Sequence, residues 1–235
     1  MSARILVIDD DKEVSRLLQI DLKRNGYEVV VATDGIQGLR VFHDTKPDLV
    51  LLDVALPRMD GRMVCQRIRE LSDVPILMMT AHAVTEDDIA TGLDLGADEY
   101  VLKPIRSVEF QARVRALLRR NKPDEGDKPL PMFYKDDYLS VDLNTRRVSI
   151  RGEELRLTPT EFKLLAMFVQ HPGDVLTFQQ LLERVWGYEY QNEHHYPRIY
   201  VSHLRHKIEP DHRTPTYIQN EYGTGYRFVG SSTED

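Results

Sequence analysis

Residues 48–61 read DLVLLDVALPRMDG. Four apolar residues run without alternation, so the segment reads as a strand buried on both faces, as in a parallel sheet covered by helices. The run ends on Asp53, and open parallel sheets deliver functional side chains at their carboxyl ends. Outward from there the same pattern repeats. RILV at 4–7 is a strand running into Asp9, and residues 12–25 carry Val14, Leu17, Leu18 and Leu22 at helical spacing before Asn25-Gly26 stops them. YEVVV at 27–31 is the next strand, followed by a helix over 35–44 through Ile36, Leu39 and Phe42. Further helices are expected at about 61–70, 85–95 and 108–119, with strands at 74–79 and 100–102. Five strand–helix units over residues 1–120 predict a doubly wound, five-stranded parallel α/β domain.

The chain has 235 residues, which suits two domains, and its 41% hydrophobic content is that of a globular protein. The single cysteine, Cys65, excludes an intramolecular disulfide and a Cys-rich zinc site. A formal charge of −7 excludes a polybasic tail, though not a nucleic-acid surface confined to one element. The apolar start of MSARILVI is too short for a signal peptide, and no window reaches the length of a membrane span. A cytoplasmic protein with no membrane partner is expected.

NKPDEGDKPLP at 121–131 is charged, holds three prolines and lacks apolar periodicity, so it reads as a linker. Over 132–235 the rhythm changes. Short strands at about 138–142 and 146–150 precede helices at 159–169, 177–186 and 195–209, and strands at 216–219 and 225–229 close the chain. This is a small α+β domain.

The strand ends of the first domain carry Asp9, Asp10 and Asp53, then Thr80, then Lys103. Carboxylates converging in one crevice repel, and oxygen-only ligation favours Mg²⁺ or Mn²⁺ over zinc. Lys103 balances charge arriving on Asp53, and the Thr80 hydroxyl can donate to a phosphoryl oxygen. The set suits phosphoryl transfer onto an aspartate, with Asp53 as nucleophile and Asp9 and Asp10 on the metal. Singly, each residue has a plainer reading. Asp11 serves as a helix cap and Lys103-Pro104 as an ordinary loop. A phosphatase working through an aspartyl phosphate wants an acid two residues past the nucleophile; Ala55 stands there, so no enzyme is expected beyond self-phosphorylation and self-dephosphorylation.

IDDD at 8–11, LLDVALPRMDG at 51–61, MTA at 79–81 and GADEYVLKP at 96–104, with LTPTEFKLL at 157–165, LLERVWG at 181–187 and GTGYRF at 223–228, resemble the OmpR/PhoB-type two-component response regulators over essentially the whole chain. The resemblance implies a flavodoxin-like receiver followed by a winged helix-turn-helix domain. It implies that Asp53 accepts phosphate from a sensor histidine kinase, and that Asp9, Asp10, Asp53 and the backbone carbonyl of Ala55 hold the metal. Thr80, Ala81, Tyr100 and Lys103 would bind the phosphoryl group and switch. It further implies a symmetric receiver dimer through the fourth helix, fifth strand and fifth helix, where Glu99, Glu109 and Arg113 stand as interfacial charges. DDIAT fills 87–91 where relatives carry Lys or Arg, and Ile105 stands where phenylalanine is common.

In the second domain the resemblance makes 195–209 the recognition helix, with promoter DNA carrying repeated half-sites as its partner. His195, Arg198, Ser202, His203 and Arg205 are the candidate contacts there, Arg198 first, with Ile199, Leu204 and Ile208 facing inward. Pro197 suits only the first turn. Tyr222, Thr224 and Arg227 are the candidates on the wing, where relatives place an arginine at the position of Tyr222. Residues 187–192 form the loop that in relatives meets RNA polymerase, and Trp186 reads as core. Five of eight histidines lie within 194–212, but zinc on His195, His203 and His206 matches no common spacing. Residues 131–235 hold 12 Lys and Arg against 15 Asp and Glu, thin electrostatics for a DNA binder. Weak monomer binding and two protomers on DNA are therefore expected. The alternative is a regulator acting mainly through protein–protein contacts.

Overall fold

The computed structural model describes residues 2–81, 95–105, 107–120, 132–190 and 193–230. The expected helix at 85–95 and its DDIAT segment, the linker 121–131 and the end of the 187–192 loop lie outside the described residues. The chain divides into two compact units, residues 1–122 and 123–235.

In the first unit the elements are β1 (Arg4–Ile8), α1 (Lys12–Arg24), β2 (Glu28–Ala32), α2 (Gly35–Thr45), β3 (Leu49–Asp53), α3 (Gly61–Leu71), β4 (Ile76–Thr80), β5 (Glu99–Leu102) and α4 (Ser107–Arg120). The strands form one parallel sheet in the order β2-β1-β3-β4-β5. Strand periodicity divides the core in two. Leu6, Ile8, Val50, Leu52, Ile76, Met78 and Tyr100 face Phe42 of α2 and Val64, Cys65 and Ile68 of α3. Ile5, Val7, Leu49, Leu51, Leu77, Met79 and Val101 face Leu18 and Leu22 of α1 and Phe110, Val114 and Leu117 of α4. Strands β1, β3 and β4 are apolar on both faces for this reason, and their carboxyl ends come out together.

The second unit holds two antiparallel sheets. β6 (Phe133–Lys135), β7 (Leu139–Asp142), β8 (Arg147–Ile150) and β9 (Glu153–Leu155) pair in chain order, and β10 (Val175–Thr177), β12 (Gly225–Phe228) and β11 (Ile218–Glu221) form the other, with β12 in the middle. Between them lie α5 (Pro159–Gln170), α6 (Phe178–Leu181) and α7 (Tyr196–Ile208). The three-residue strands β6, β9 and β10 have no counterpart in the sequence reading, being too short to show alternation. The helix expected over 177–186 is α6 continued by a π-helical turn, Leu182–Trp186, closed by Gly187 N–H on the Leu182 carbonyl at 2.9 Å. Trp186 is core as expected, 1% exposed, with its ring 4.9 Å from that of Tyr200.

Two carboxylates fasten this unit. Thr158 and Glu161 make a capping box on α5, and the Glu161 carboxylate, 1% exposed, takes Lys207 Nζ of α7 at 2.7 Å. Lys207, half-buried, is thus engaged within the unit. Asp136 ties the first sheet to the second. It accepts from the backbone N–H groups of Tyr138 and Leu139 and from the hydroxyls of Tyr134 and Tyr217 at 2.6–2.9 Å. Burial works against its ionisation, but those four donors outweigh it and bring its pKa down to about 2. A carboxylate with a depressed folded pKa adds stability that is present above its unfolded value and is lost as pH falls through the folded one. Asp136→Asn is therefore expected to cost about 1 kcal/mol at neutral pH, discounted for its partial exposure. The variant should also lose the part of the acid limb between about pH 4 and pH 2. Urea titrations across that range check both expectations.

Candidate phosphoacceptor site and nucleic-acid face

The carboxyl ends of β1 and β3 bring Asp9, Asp10 and Asp53 together, with one oxygen from each lying within 4.8 Å of the others. Asp9 is fully buried, Asp53 is 6% exposed and Asp10 faces outward. Lys103, at the end of β5, reaches across, its Nζ 2.7 Å from Asp9 and 3.2 Å from Asp53, ahead of a cis Lys103–Pro104 bond. Burial pushes the Asp53 carboxyl above the ordinary carboxylate range; Lys103 pulls it back, and Asp9 and Asp10 push it up again. Burial likewise opposes charge on Lys103, but its bonds to Asp9 and Asp53 prevail and its pKa is raised. Three carboxylates against one ammonium leave net negative charge in a half-closed crevice. Its all-oxygen donors fit a hard divalent cation.

The loop after β3 is tightly specified. Gly61 N–H donates to the Val54 carbonyl at 3.0 Å, and a Cβ on Gly61 would stand 2.0 Å from the Asp53 carbonyl oxygen. Asp60 caps α3, and Arg58, in left-handed backbone at φ 67°, pairs its guanidinium with buried Asp34. The sequence reading quoted this loop only for its resemblance. The steric need for glycine behind Asp53 is a finding of the structure. Gly61→Ala should cost about 1–3 kcal/mol by overpacking and displace Asp53. Thermal melting, together with the rate of phosphate uptake, measures both. Asp11 accepts from Glu13 and Val14 N–H and caps α1. Thr80 ends β4 half-buried, Ala55 and Ala81 are exposed, and Tyr100 is 8% exposed, its ring packed inward.

The three charges expected on a receiver interface are bound to one another. Arg113 holds Glu99 at 2.7 Å and Glu109 at 2.7 Å within one chain. Glu99 is fully buried and Arg113 is 7% exposed, so neither presents a charge outward. Spacing explains it: Glu109 and Arg113 are four apart on α4, and Glu99 of β5 lies beneath that face.

On α7 the exposed stripe is Arg198, Ser202, Arg205 in part and His206. Two of the candidate contacts there are buried or engaged within the chain. His203 is 8% exposed, on the buried side with Tyr200 and Leu204. Arg205 donates to the Ile218 carbonyl at 3.0 and 2.5 Å and to Asn220 at 3.1 Å, so its fork holds the closing hairpin. Burial lowers its pKa, and Tyr226 and Glu209 oppose that shift. Arg227 is likewise occupied, with Nε 2.7 Å from Glu221 across the hairpin. His195 lies at the start of α7, 3.7 Å from Glu193. Tyr222 is fully exposed and Thr224 is exposed on the hairpin tip around Gly223, whose φ is 71°.

Family models match both units: "Response regulator receiver domain" over residues 5–115, and "Transcriptional regulatory protein, C terminal" over 152–228. DNA-binding response regulator MtrA of Mycobacterium tuberculosis is 41% identical over 227 residues, covering 97% of either chain. Response regulator MprA of Mycobacterium bovis is 42% identical over 227 residues, 96% of this chain and 97% of the relative. The chain belongs to the OmpR/PhoB-type response regulators. The fold agrees with solved members of the group. A RitR mutant superposes with a TM-score of 0.76 at 26% identity, over 97% of this chain and all of that one. Response regulator DrrB of Thermotoga maritima, an OmpR/PhoB homolog, gives 0.51 at 28%, over 98% of this chain and all of its own.

Two residues of this response regulator that the sequence reading passed over shape the nucleic-acid face. Glu209, 6% exposed, accepts from the backbone N–H groups of Thr216, Tyr217 and Ile218 at 2.7–3.1 Å and fixes the end of α7 to β11. Phe178 opens α6 and lies beneath the Arg198 guanidinium. Neither carries a local signal: Glu209 acts across the turn that follows α7, and Phe178 acts on a residue twenty positions away. No helix among the described residues is long and apolar enough to cross a membrane.

Proposed function

We propose that the chain is a phosphorylation-controlled, sequence-specific DNA-binding transcription regulator that accepts a phosphoryl group on Asp53 from a sensor histidine kinase. The acidic cluster of Asp9, Asp10 and Asp53 with Lys103 across it carries the reading. An Asp53 carboxylate oxygen bonds to phosphorus as the bond from phosphorus to the donor's imidazole nitrogen breaks. Lys103 swings its ammonium onto the new phosphoryl oxygens, and the Thr80 hydroxyl donates to them. Asp9, Asp10, Asp53 and the Ala55 carbonyl would hold Mg²⁺ or Mn²⁺, which would supply neutralising charge for the transfer. The added charge of nearly −2 is the local event to which Thr80 and Tyr100 respond. On the output side, α7 enters the major groove of promoter half-sites, two protomers to a site, with the 187–192 loop turned to RNA polymerase.

Incubating the full chain with acetyl phosphate and Mg²⁺ and weighing it intact tests the first step. Wild type gains one phosphoryl group and Asp53→Asn none. Equal uptake by the variant contradicts the assignment. A second reading, output mainly through protein contacts, draws support from the cations of the second unit. Arg205, Lys207 and Arg227 are all engaged within the chain, which leaves a thin field for phosphates. Failure of the phosphorylated chain to retain any duplex at low salt would favour it.

A further inference from the structure

On the DNA-binding reading above, we propose that base reading by each protomer rests on one arginine, Arg198, and that Phe178 is the positioning residue that holds its guanidinium ready. Arg198 and Arg205 are the two arginines on the exposed stripe of α7, seven residues apart, and their surroundings differ. The fork of Arg205 is spent on the Ile218 carbonyl and on Asn220, with its guanidinium carbon 5.4 Å from the centre of the Tyr226 ring. Arg198 is exposed, and its side chain makes no hydrogen bond or ion pair among the described residues. Its neighbour is the Phe178 ring, whose centre lies 5.5 Å from the guanidinium carbon.

The kind of contact matters. A carboxylate or carbonyl would consume the in-plane N–H donors. An aromatic ring attracts the cation through its face and takes none of them. All five donors of Arg198 stay available in one plane, as a bidentate bond to guanine O6 and N7 requires. Stacking also limits the rotamers of a long side chain before binding, which reduces the ordering cost paid on the DNA.

Phe178 is itself well fixed. It opens α6 directly behind the Thr177–Gln180 capping box, and its N–H donates to the Thr224 carbonyl at 3.1 Å. Its ring meets that of Tyr226 edge-on at 5.6 Å. The same residue therefore joins α6, the hairpin tip and the reading arginine. Arg205 on Tyr226 forms the second half of this aromatic platform, its role confined to holding the hairpin.

The test uses a duplex enriched from a random library by the full-length wild-type chain, and a scrambled duplex of equal length. Binding is followed over a salt series. Arg198→Ala is expected to lower affinity for the selected duplex roughly tenfold to a hundredfold and to relax preference at one guanine. Phe178→Leu, which changes no charge, should lower the ratio of selected to scrambled affinity roughly threefold to tenfold and leave the salt slope of wild type unchanged. Phe178→Trp should restore the ratio, and Phe178→Leu should add nothing in the Arg198→Ala background. Melting curves identify any variant that fails to fold, in which case the Phe178→Trp and Phe178→Tyr variants decide by keeping or raising the ratio. The proposal is overturned if the two losses multiply, or if Phe178→Leu binds with the wild-type ratio. If wild type enriches no duplex at all, the DNA-binding reading itself falls, and this inference with it.

Discussion

Lys103→Met is expected to destabilise the first unit by about 3 kcal/mol in the absence of divalent cations. Lys103 bonds to both Asp9 and Asp53, and Asp9 is fully buried, so removing the ammonium leaves two carboxylates facing one another with no counter-charge. Asp53 already binds its proton more tightly than an ordinary aspartate, chiefly through burial. The sign of the pH dependence follows. A carboxyl whose folded pKa is raised holds its proton in the folded state where the unfolded chain has lost it, so folding is favoured as pH falls through that raised value and weakened above it. Loss of Lys103 raises it further, so the variant should regain stability on acidification below neutral pH more steeply than wild type. Mg²⁺ should recover part of the loss by the same electrostatics, following the logarithm of its concentration over its dissociation constant. Asp9→Asn combined with Lys103→Met should cost less than the two single changes added, because the neutralised partner no longer needs the cation. Urea titrations with and without Mg²⁺ measure all of this.

Glu209→Ala should cost the second unit about 3–5 kcal/mol and abolish duplex binding. Its carboxylate is the acceptor for three successive backbone N–H groups, Thr216 to Ile218, two of them in buried residues. Each buried donor left unpaired costs about 1–3 kcal/mol. Arg205 bonds to the Ile218 carbonyl, so losing Glu209 also loosens the residue that ties α7 to the hairpin. Glu209→Gln, which keeps one acceptor oxygen, should lose about half as much. Chemical denaturation of the full chain, with the transition of the second unit followed through Trp186, reads the effect.

Much of the phosphoacceptor site was legible because strand periodicity is strict. A run such as LVLL can only be buried on both faces, and the residue that ends it must stand at the sheet edge. Asp9, Asp53, Thr80 and Lys103 follow from that geometry before any contact is known. Gly61 was legible only as part of a quoted motif, since its role depends on how closely α3 returns to the Asp53 carbonyl. The nucleic-acid face was less readable. The apolar arc of α7 is wide, with Tyr196, Ile199, Tyr200, Val201, Leu204 and Ile208 all buried, and so its edges fall inside polar positions. His203 lies just within that edge, while Arg205 lies just outside it. The occupation of Arg205 and Arg227 depends on β11 and β12 register, which places Glu221 diagonally across from Arg227. For Glu99 and Arg113, the sequence could set them near one face but not say whether they pair within a chain or between two.

On the proposed function, phosphate on Asp53 governs DNA binding by the second unit. The most direct measurement is the affinity of the full chain for its selected duplex at one fixed salt concentration, with and without acetyl phosphate and Mg²⁺, beside Asp53→Asn. Phosphorylated wild type should bind roughly tenfold tighter or more, a coupling of ordinary size, and the variant should not respond. Equal affinity in both states, with phosphate on Asp53 verified by mass, would contradict it.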